Sequence, residues 1–431
     1  MKFFKPFEMP VAPVFPDLTV DIRDYGAQEG GKEKVTEAIA KAIEDCAKRG
    51  GGRVLIPAGE WLTGPIHLKD NIELHVAENA YVHFTTDFND YLPVVFSALE
   101  GIRCYSPSPC VYAYRAKNIA VTGKGTLDGH GEGWWHMKKH QPGMEDLIVA
   151  GRTQRPVEQR VYDKEEYGVR PRMVQFVECE TLLIEGVTVK NSPAWAVHPL
   201  WCKNYIVRGL TVLNPVSSPN TDGINIDASQ RGLVEDCFIS GGDDMICLKA
   251  GRDQDAWEVG IPCKDIEIRN CRSGECRGAL TVGSEMSAGV QNAWIHDCQL
   301  NRMYDAICIK TMKGRRGIVE NIDFENITLE EGAGAVVSVT MRYAGESLDD
   351  QSAPKENMPK LRNVSIVNLT CESADYGMKL VGEEGFEMEN FYFKDITYRA
   401  ARPIVIDGVK NLTMENFSIG LGKAPEPMVW E

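Results

Sequence analysis

Nine times between Ile184 and Phe417 the chain repeats one four-residue phrase: an apolar residue, a usually polar one, then Gly, Asn or Asp, then a second apolar residue. It reads Ile184-Glu185-Gly186-Val187, Val207-Arg208-Gly209-Leu210, Val234-Glu235-Asp236-Cys237, Ile268-Arg269-Asn270-Cys271 and Ile295-His296-Asp297-Cys298. It continues as Phe324-Glu325-Asn326-Ile327, Ile366-Val367-Asn368-Leu369, Phe393-Lys394-Asp395-Ile396 and Met414-Glu415-Asn416-Phe417. Successive starts lie 23, 27, 34, 27, 29, 42, 27 and 21 residues apart. A period in the twenties, built from alternating strands and turn-forming residues, marks a solenoid. The strands are too short and too frequent for helical crossovers, so the spacing predicts an all-β parallel β-helix rather than a βαβ fold. The wider gaps predict loops inserted into single coils. Antiparallel β-sandwiches are the rival architecture, but they demand no such period. The 431 residues suit one long solenoid domain, 1–431.

Stacking the coils draws three carboxylates together. Asp222 in Asn220-Thr221-Asp222-Gly223 leads into Ile224-Asn225-Ile226, and Asp244 in Gly242-Asp243-Asp244 leads into Met245-Ile246-Cys247-Leu248. In register, Asp222 and Asp244 become neighbours on adjacent rungs, about 4.8 Å apart at the backbone, with Asp243 one residue before. Such a cluster carries a Coulombic cost unless one member holds a proton or a ligand intervenes. The same alignment sets Ile224, Ile246, Leu280, Ile307 and Val337 in one inward column. Asn225, Cys247, Thr281, Cys308 and Ser338 fall in the outward one. Lys249 and Lys310 share a column near the strand ends, with Gly283 between them. Acids with ammonium groups beside them suit a hydrolase of acidic sugars. The plain alternative is that these Asp residues only shape turns.

A formal net charge of −15 argues against a nucleic-acid partner, although the local potential of a cleft can still draw in an anion. Thirteen cysteines include Cys237, Cys271 and Cys298 at repeat positions, which read as a small buried ladder. None has Cys-x-x-Cys spacing, so no zinc site is expected, and free buried cysteines point to a reducing compartment. No apolar run follows Met1-Lys2-Phe3-Phe4-Lys5-Pro6, and no stretch reaches membrane-spanning length. The expectation is a cytoplasmic enzyme with no membrane partner, or a secreted one if a leader has been removed; the oligomeric state stays open. Ahead of the coils, about 20–52 reads as a strand and a capping helix. Val35, Ala38, Ile39, Ala42, Ile43 and Cys46 share one face over Glu33–Lys48, and Gly50-Gly51-Gly52 stops the helix. The charged stretch of about 136–168 lacks a period and reads as a long loop beside the cleft.

In order along the chain, Asp24-Tyr25-Gly26-Ala27, Pro57-Ala58-Gly59-Glu60-Trp61, Gly123-Lys124-Gly125-Thr126-Leu127-Asp128-Gly129 and Asn191-Ser192-Pro193 precede Asn220-Thr221-Asp222, Gly242-Asp243-Asp244 and Ile309-Lys310. Each motif alone is common; the ordered set, over nearly the whole chain, resembles the polygalacturonase family of pectin hydrolases, glycoside hydrolase family 28. The resemblance implies a right-handed parallel β-helix and single-displacement hydrolysis with inversion. It implies no metal and no organic cofactor. By position, Asp243 would protonate the glycosidic oxygen, and Asp222 and Asp244 would hold and activate water. An inverting site separates acid and base carboxyls by roughly 6.5–9.5 Å to admit that water. Crowding of carboxylates also raises at least one pKa, which keeps a proton at hand.

Two departures stand out. Endo-acting members carry Gly-His-Gly after the acidic pair, where this chain has Gly283-Ser284-Glu285-Met286-Ser287-Ala288-Gly289, similar to bacterial exo-acting members. The histidine's role is then absent or passes to Ser284 or Glu285. The family's Arg-Ile-Lys is Cys308-Ile309-Lys310 here. A thiol cannot replace a bidentate fork on a uronate carboxylate, so Lys310 would act alone, or Arg315 or Arg316 would reach in, or the sugar there is not plain galacturonate. Asn220 and Tyr343 match substrate-contacting positions, with a packed surface role as the alternative for Tyr343. His198 lies one coil before Asp222 and either touches sugar or is a satisfied structural histidine. Lys249 would bind a carboxylate or neutralise Asp244. Gly251-Arg252-Asp253 is a turn or a subsite contact. Trp134, Trp135, Trp195 and Trp201 would stack on sugar or pack as core. The expected enzyme is an inverting, exo-acting glycoside hydrolase of pectic oligosaccharides, galacturonan or rhamnogalacturonan derived. Its rivals are a polysaccharide lyase, which needs calcium and a basic proton abstractor, and a non-catalytic carbohydrate-binding β-helix. Fold cannot choose between them; the aspartate trio favours hydrolysis.

Overall fold

The computed structural model describes residues 1–343, 355–386, 388–426 and 428. It is a right-handed parallel β-helix, a 27-stranded sheet wound coil upon coil. Early coils have three short strands. Val197–Leu200, Lys203–Arg208 and Thr211–Leu213 make one; Ile224–Asp227, Gln230–Glu235 and Phe238–Ser240 make the next. From Val290 onward the corners smooth out and single strands, such as Val290–Lys310 and Ile318–Thr340, run through a coil.

The repeat phrase is the register of this structure. Ile184, Val207, Val234, Ile268, Ile295, Phe324, Ile366, Phe393 and Met414 pair rung to rung without a break. The column extends backward through Val121, Leu74 and Val54 to Val20. Those earlier coils lack the full phrase and were invisible to it. The third position of all nine phrases has positive φ, from 53° at Asn270 to 79° at Gly186. An L-residue with a branched or bulky side chain is strained there, which is why only Gly, Asn and Asp occupy it. The asparagines also bond to one another along the axis: Asn368 Nδ2 donates to Asn326 Oδ1 at 2.8 Å, and Asn326 Nδ2 to Asp297 Oδ1 at 2.8 Å. Inside, the apolar column is almost wholly buried, and each Val, Ile, Leu or Phe so removed from water is worth roughly 1.5–3 kcal/mol.

The helix over the open end, α1, spans Thr36–Lys48 and buries Ala38, Ile39, Ala42, Ile43 and Cys46. It starts three residues later than the spacing suggests because Lys34 bridges to Leu62 and the Val35 amide donates to Leu62 O at 2.8 Å, which ties both to the neighbouring strand instead of the helix. The stretch 136–168 is not a structureless loop. It carries α2, Pro142–Arg152, with proline at the start where its missing N–H costs nothing. Leu147 and Ile148 of α2 pack with Leu99 and Ile102 of the antiparallel hairpin Val95–Leu99/Ile102–Ser106. Two turns of apolar spacing in a charged stretch were too little signal to read as a helix. A third helix, α3, spans Asp253–Val259. Among the described residues no helix is long and apolar enough to cross a membrane.

Candidate active site

The predicted columns pair as expected: Asn225 with Cys247, Cys247 with Thr281, Thr281 with Cys308 and Cys308 with Ser338. Their expected exposure does not follow. Asn225, Cys247, Thr281 and Cys308 are buried, because the side chains that line the cleft fold over them. They form the floor beneath a cleft of about 360 Å³.

Asp222, Asp243 and Asp244 all line that cleft. Two turns hold them together: Thr221 Oγ1 accepts from the Gly242 amide at 2.9 Å and bonds Ser218 Oγ at 2.6 Å. Gly242 passes so close to the neighbouring turn that a Cβ there would lie 1.8 Å from Ser218 O. Asp244 is gripped from three coils. Cys247 Sγ and Lys310 Nζ donate to Oδ2 at 3.1 and 2.9 Å, and Thr281 Oγ1 donates to Oδ1 at 3.1 Å. Gly278 leaves room for this carboxylate; a Cβ there would sit 2.0 Å from Asp244 Oδ1. Asp222 has no such support: its Oδ1 is buried without a hydrogen-bond partner, and one of its oxygens lies within 4.8 Å of one on Asp244. Asp243, half-buried, accepts the Asp244 amide on Oδ1 at 3.1 Å, which leaves Oδ2 toward the cleft.

These surroundings separate the three acids. Burial opposes ionisation of Asp244, but Lys310 and then Lys249 outweigh it and hold its carboxyl below the usual range. Burial and then the Asp244 charge push Asp243 up. Burial and then Asp243 push Asp222 well up. As a coupled set the trio keeps an anion centred on Asp244 and at least one proton at higher pH than an ordinary carboxylate would. A group that donates a proton thus stands beside one that can take one, the arrangement acid–base hydrolysis requires.

Lys249 does not neutralise Asp244 directly. It is buried in an ion pair with Glu285 at 2.7 Å and sits 4.8 Å above the Trp195 ring. Burial opposes ionisation of Glu285; Lys249, and after it Arg252 and Arg315, reverse that and pull its carboxyl far down. Ser284 Oγ donates to Glu285 Oε1 at 2.8 Å, so both residues at the position of the family's histidine line the cleft as members of one ionic network. Asn220 lines the cleft and accepts from Arg170 Nη2 at 2.8 Å. Tyr343 lines the other end, with Lys310 Nζ 5.6 Å above its ring.

His198 is a correction. It lies below the floor, 1 % exposed, with Nδ1 bonded to Gln175 Nε2 at 2.8 Å and Nε2 3.5 Å from Asp227 Oδ2. Its side chain shares the downward turn of the outward column, so it does not line the cleft. Arg252 is likewise buried, at the start of α3. Arg315 does not reach in to replace the missing arginine: it donates to Ser284 O at 3.1 Å and to Asp253 at 2.8 Å. Arg316 lies over Trp257. Of the four tryptophans considered, Trp195 lines the cleft, and as support under Lys249.

Arg277, Tyr304, Asp305 and Lys138 also line the cleft and were not singled out from sequence. Asp305 had a signal: it pairs with Gly278, one rung beyond Asp244 in the same column. Its Oδ1 accepts the Ala335 amide at 2.7 Å, and burial pushes its carboxyl up. Arg277 precedes Gly278 in the aligned strand; Lys138 arrives from the segment before α2, which no repeat could place.

Residues 46–416 match the family model of the glycosyl hydrolases family 28. The crystal structure of a hyperthermoactive exopolygalacturonase from Thermotoga maritima superposes with a TM-score of 0.89 and 33 % identity, covering 96 % of this chain and 94 % of that one. A probable polygalacturonase of Vitis vinifera is 28 % identical over 377 residues, 83 % of this chain and 70 % of the relative. An exo-poly-alpha-D-galacturonosidase of Dickeya chrysanthemi is 22 % identical over 93 % of this chain and 71 % of its own length. A match across almost all the coils, on a β-helix whose ordered carboxylates converge in one cleft, makes this chain a member of the glycosyl hydrolases family 28 and a glycoside hydrolase of the polygalacturonase type.

Proposed function

We propose that the chain is an exo-acting, inverting hydrolase of α-linked galacturonate in pectic oligosaccharides. The observation that carries the reading is the divided state of the trio: Asp243 and Asp222 pushed toward the protonated form, Asp244 held as an anion by Lys310. Asp243 gives its proton to the glycosidic oxygen as the C1–O bond breaks. A water held by Asp222 and Asp244 attacks C1 from the opposite face and passes its proton to the Asp244 carboxylate. Lys310, at the cleft wall, faces the substrate carboxylate as a point charge; Cys308 beneath it cannot supply the fork of the family's arginine, and the guanidinium that lines the cleft is Arg277 instead. That favours a leaving portion other than an unmodified galacturonan, and rhamnogalacturonan fragments are the natural comparison. Exo action is supported by the names of the Thermotoga and Dickeya relatives. Thirteen free, buried cysteines support a reducing compartment, hence a cytoplasmic enzyme.

The test is product analysis by proton NMR and chromatography on a homogalacturonan trimer and a rhamnogalacturonan trimer. Release of single galacturonate as the β-anomer is the expected result and identifies the preferred backbone. An α-anomer would overturn inversion, cleavage at internal bonds of longer chains would overturn exo action, and an unsaturated product would overturn hydrolysis.

A further inference from the structure

In and beneath the floor of the cleft lies a set of polar side chains that the reaction leaves unused. Ser97, Gln175, His198, Asn225 and Asp227 are all buried there. Ser97 Oγ donates to Gln175 Oε1 at 2.8 Å, and Gln175 Nε2 donates to His198 Nδ1 at 2.8 Å. With Nδ1 as the acceptor, the imidazole carries its hydrogen on Nε2. Burial holds this ring below its usual range, which favours the neutral form. There the direct chain stops. His198 Nε2 and Asp227 Oδ2 stand 3.5 Å apart, and neither makes a hydrogen bond.

Asn225 lies one coil further on, in a strand whose Ile224 pairs with Val197 beside His198. It is 0 % exposed, and both its Oδ1 and its Nδ2 lack a partner. Asp222 Oδ1, buried three residues earlier, lacks one too. A buried polar atom is costly unless it is hydrogen-bonded. Where several converge, with donors and acceptors both present, protein interiors satisfy them with ordered water. Here the imidazole N–H and the amide NH₂ stand among the oxygens of Asn225, Asp222 and Asp227.

The register shows what Asn225 stands under. It follows Asp222 by three residues, as Cys247 follows Asp244, and it pairs with Cys247 across the rung. The Cys247 thiol donates to Asp244 Oδ2 at 3.1 Å. The Asn225 amide occupies the same step below Asp222. An oxygen of Asp222, an oxygen of Asp244 and Cys247 Sγ lie within 4.8 Å of one another, so this floor is the underside of the trio itself.

We infer that Asn225 is a positioning residue for Asp222: its amide, joined through ordered water to His198 and Asp227, anchors one oxygen of the Asp222 carboxyl to the floor and leaves the other to hold the attacking water. This rests on the hydrolase reading above. Burial and then the Asp243 charge favour a proton on Asp222. Anchored in this way, Asp222 directs that proton down into the floor, and its cleft-side oxygen stays an acceptor for the water.

The test combines steady-state kinetics on the pectic trimer that the wild type prefers with a thermal melt, using the full chain. Asn225→Val removes both polar atoms from a strand position where a β-branched side chain packs well. If Asn225 served structure alone, losing unpaired buried atoms would raise stability and leave turnover unchanged. The expected result is different: kcat falls by at least about tenfold, KM stays within about twofold, and the melting temperature holds or rises. Asn225→Thr, of similar shape with a hydroxyl restored, should recover part of kcat. On top of Asp222→Asn, Asn225→Val should cost less than about a further twofold, because it acts through that carboxyl. His198→Leu interrupts the chain further from Asp222 and should lower kcat by about two- to fivefold; it decides the matter if Asn225→Val does not fold. Unchanged kcat in Asn225→Val, or in His198→Leu where the valine variant is lost, would overturn the inference. So would a loss carried by KM alone, or one that only follows a fall in melting temperature. Each of these leaves the hydrolase reading intact, whereas no turnover of any uronide trimer by the wild type would overturn both.

Discussion

Two rows of aspartates run along this solenoid, and the same side chain meets opposite fates in them. In the repeat phrase, Asp236, Asp297 and Asp395 sit at left-handed corners, exposed to water. Asp297 accepts from Asn326, and Asp395 from Asn416 at 2.8 Å. A hydrogen bond to His296 holds Asp297 below the usual range. In the other row, Asp222 and Asp244 are buried on adjacent rungs, half-buried Asp305 lies two rungs beyond Asp244 with Gly278 between them, and Asp243 is alongside. Here burial drives Asp222, Asp243 and Asp305 up, whereas Lys310, Lys249 and the Cys247 hydrogen bond draw Asp244 down. Both rows are turn aspartates by composition. What separates a structural corner from a reactive one is desolvation and shared neighbours: water hydrates the first row and screens its members from one another, whereas the second row must apportion protons among themselves.

Replacing the proton donor should break the comparison most sharply. Asp243→Asn should lower kcat by at least about a hundredfold, with binding of the trimer retained in a titration. Near-normal turnover would return Asp243 to the structural row.

Lys310→Met should have the next largest effect, and its signature is in pH. Lys310 favours the anion of Asp244, so its removal raises that carboxyl. The base must be ionised to take a proton. The acidic limb of the kcat/KM profile should therefore move toward neutral pH. An acidic limb that stays put would mean that Asp244 is not the base.

Asp297→Asn should be nearly silent. Asparagine tolerates the left-handed corner and keeps the axial hydrogen-bonding ladder, so stability should stay within about 0.5 kcal/mol and kcat should not change. A large loss of stability by thermal melt would show that the exposed row, too, depends on its charge.

The contrast also marks what could be read without coordinates. The phrase at Ile184 through Met414 determined the fold, its register and the alternation of columns, because a solenoid writes its geometry into a local period: each rung repeats the same apolar position and the same left-handed corner. The order of the acidic motifs determined which aspartates would meet. The period could not say which side chains the outward column would keep in solvent. Asn225 obeys the predicted register yet lies under the floor, as does His198 one coil before, since burial depends on what folds over a position from other coils. Nor could it say that Lys310 would take Asp244 while Lys249 took Glu285, a choice made by side-chain reach across rungs. Least legible was the Asn220 end of the cleft. α2, Lys138 and Arg170 come from an insertion and from residues before a strand, outside the repeat, and only the packed structure decides where such segments settle, because their positions are set by long-range contacts that no local pattern encodes.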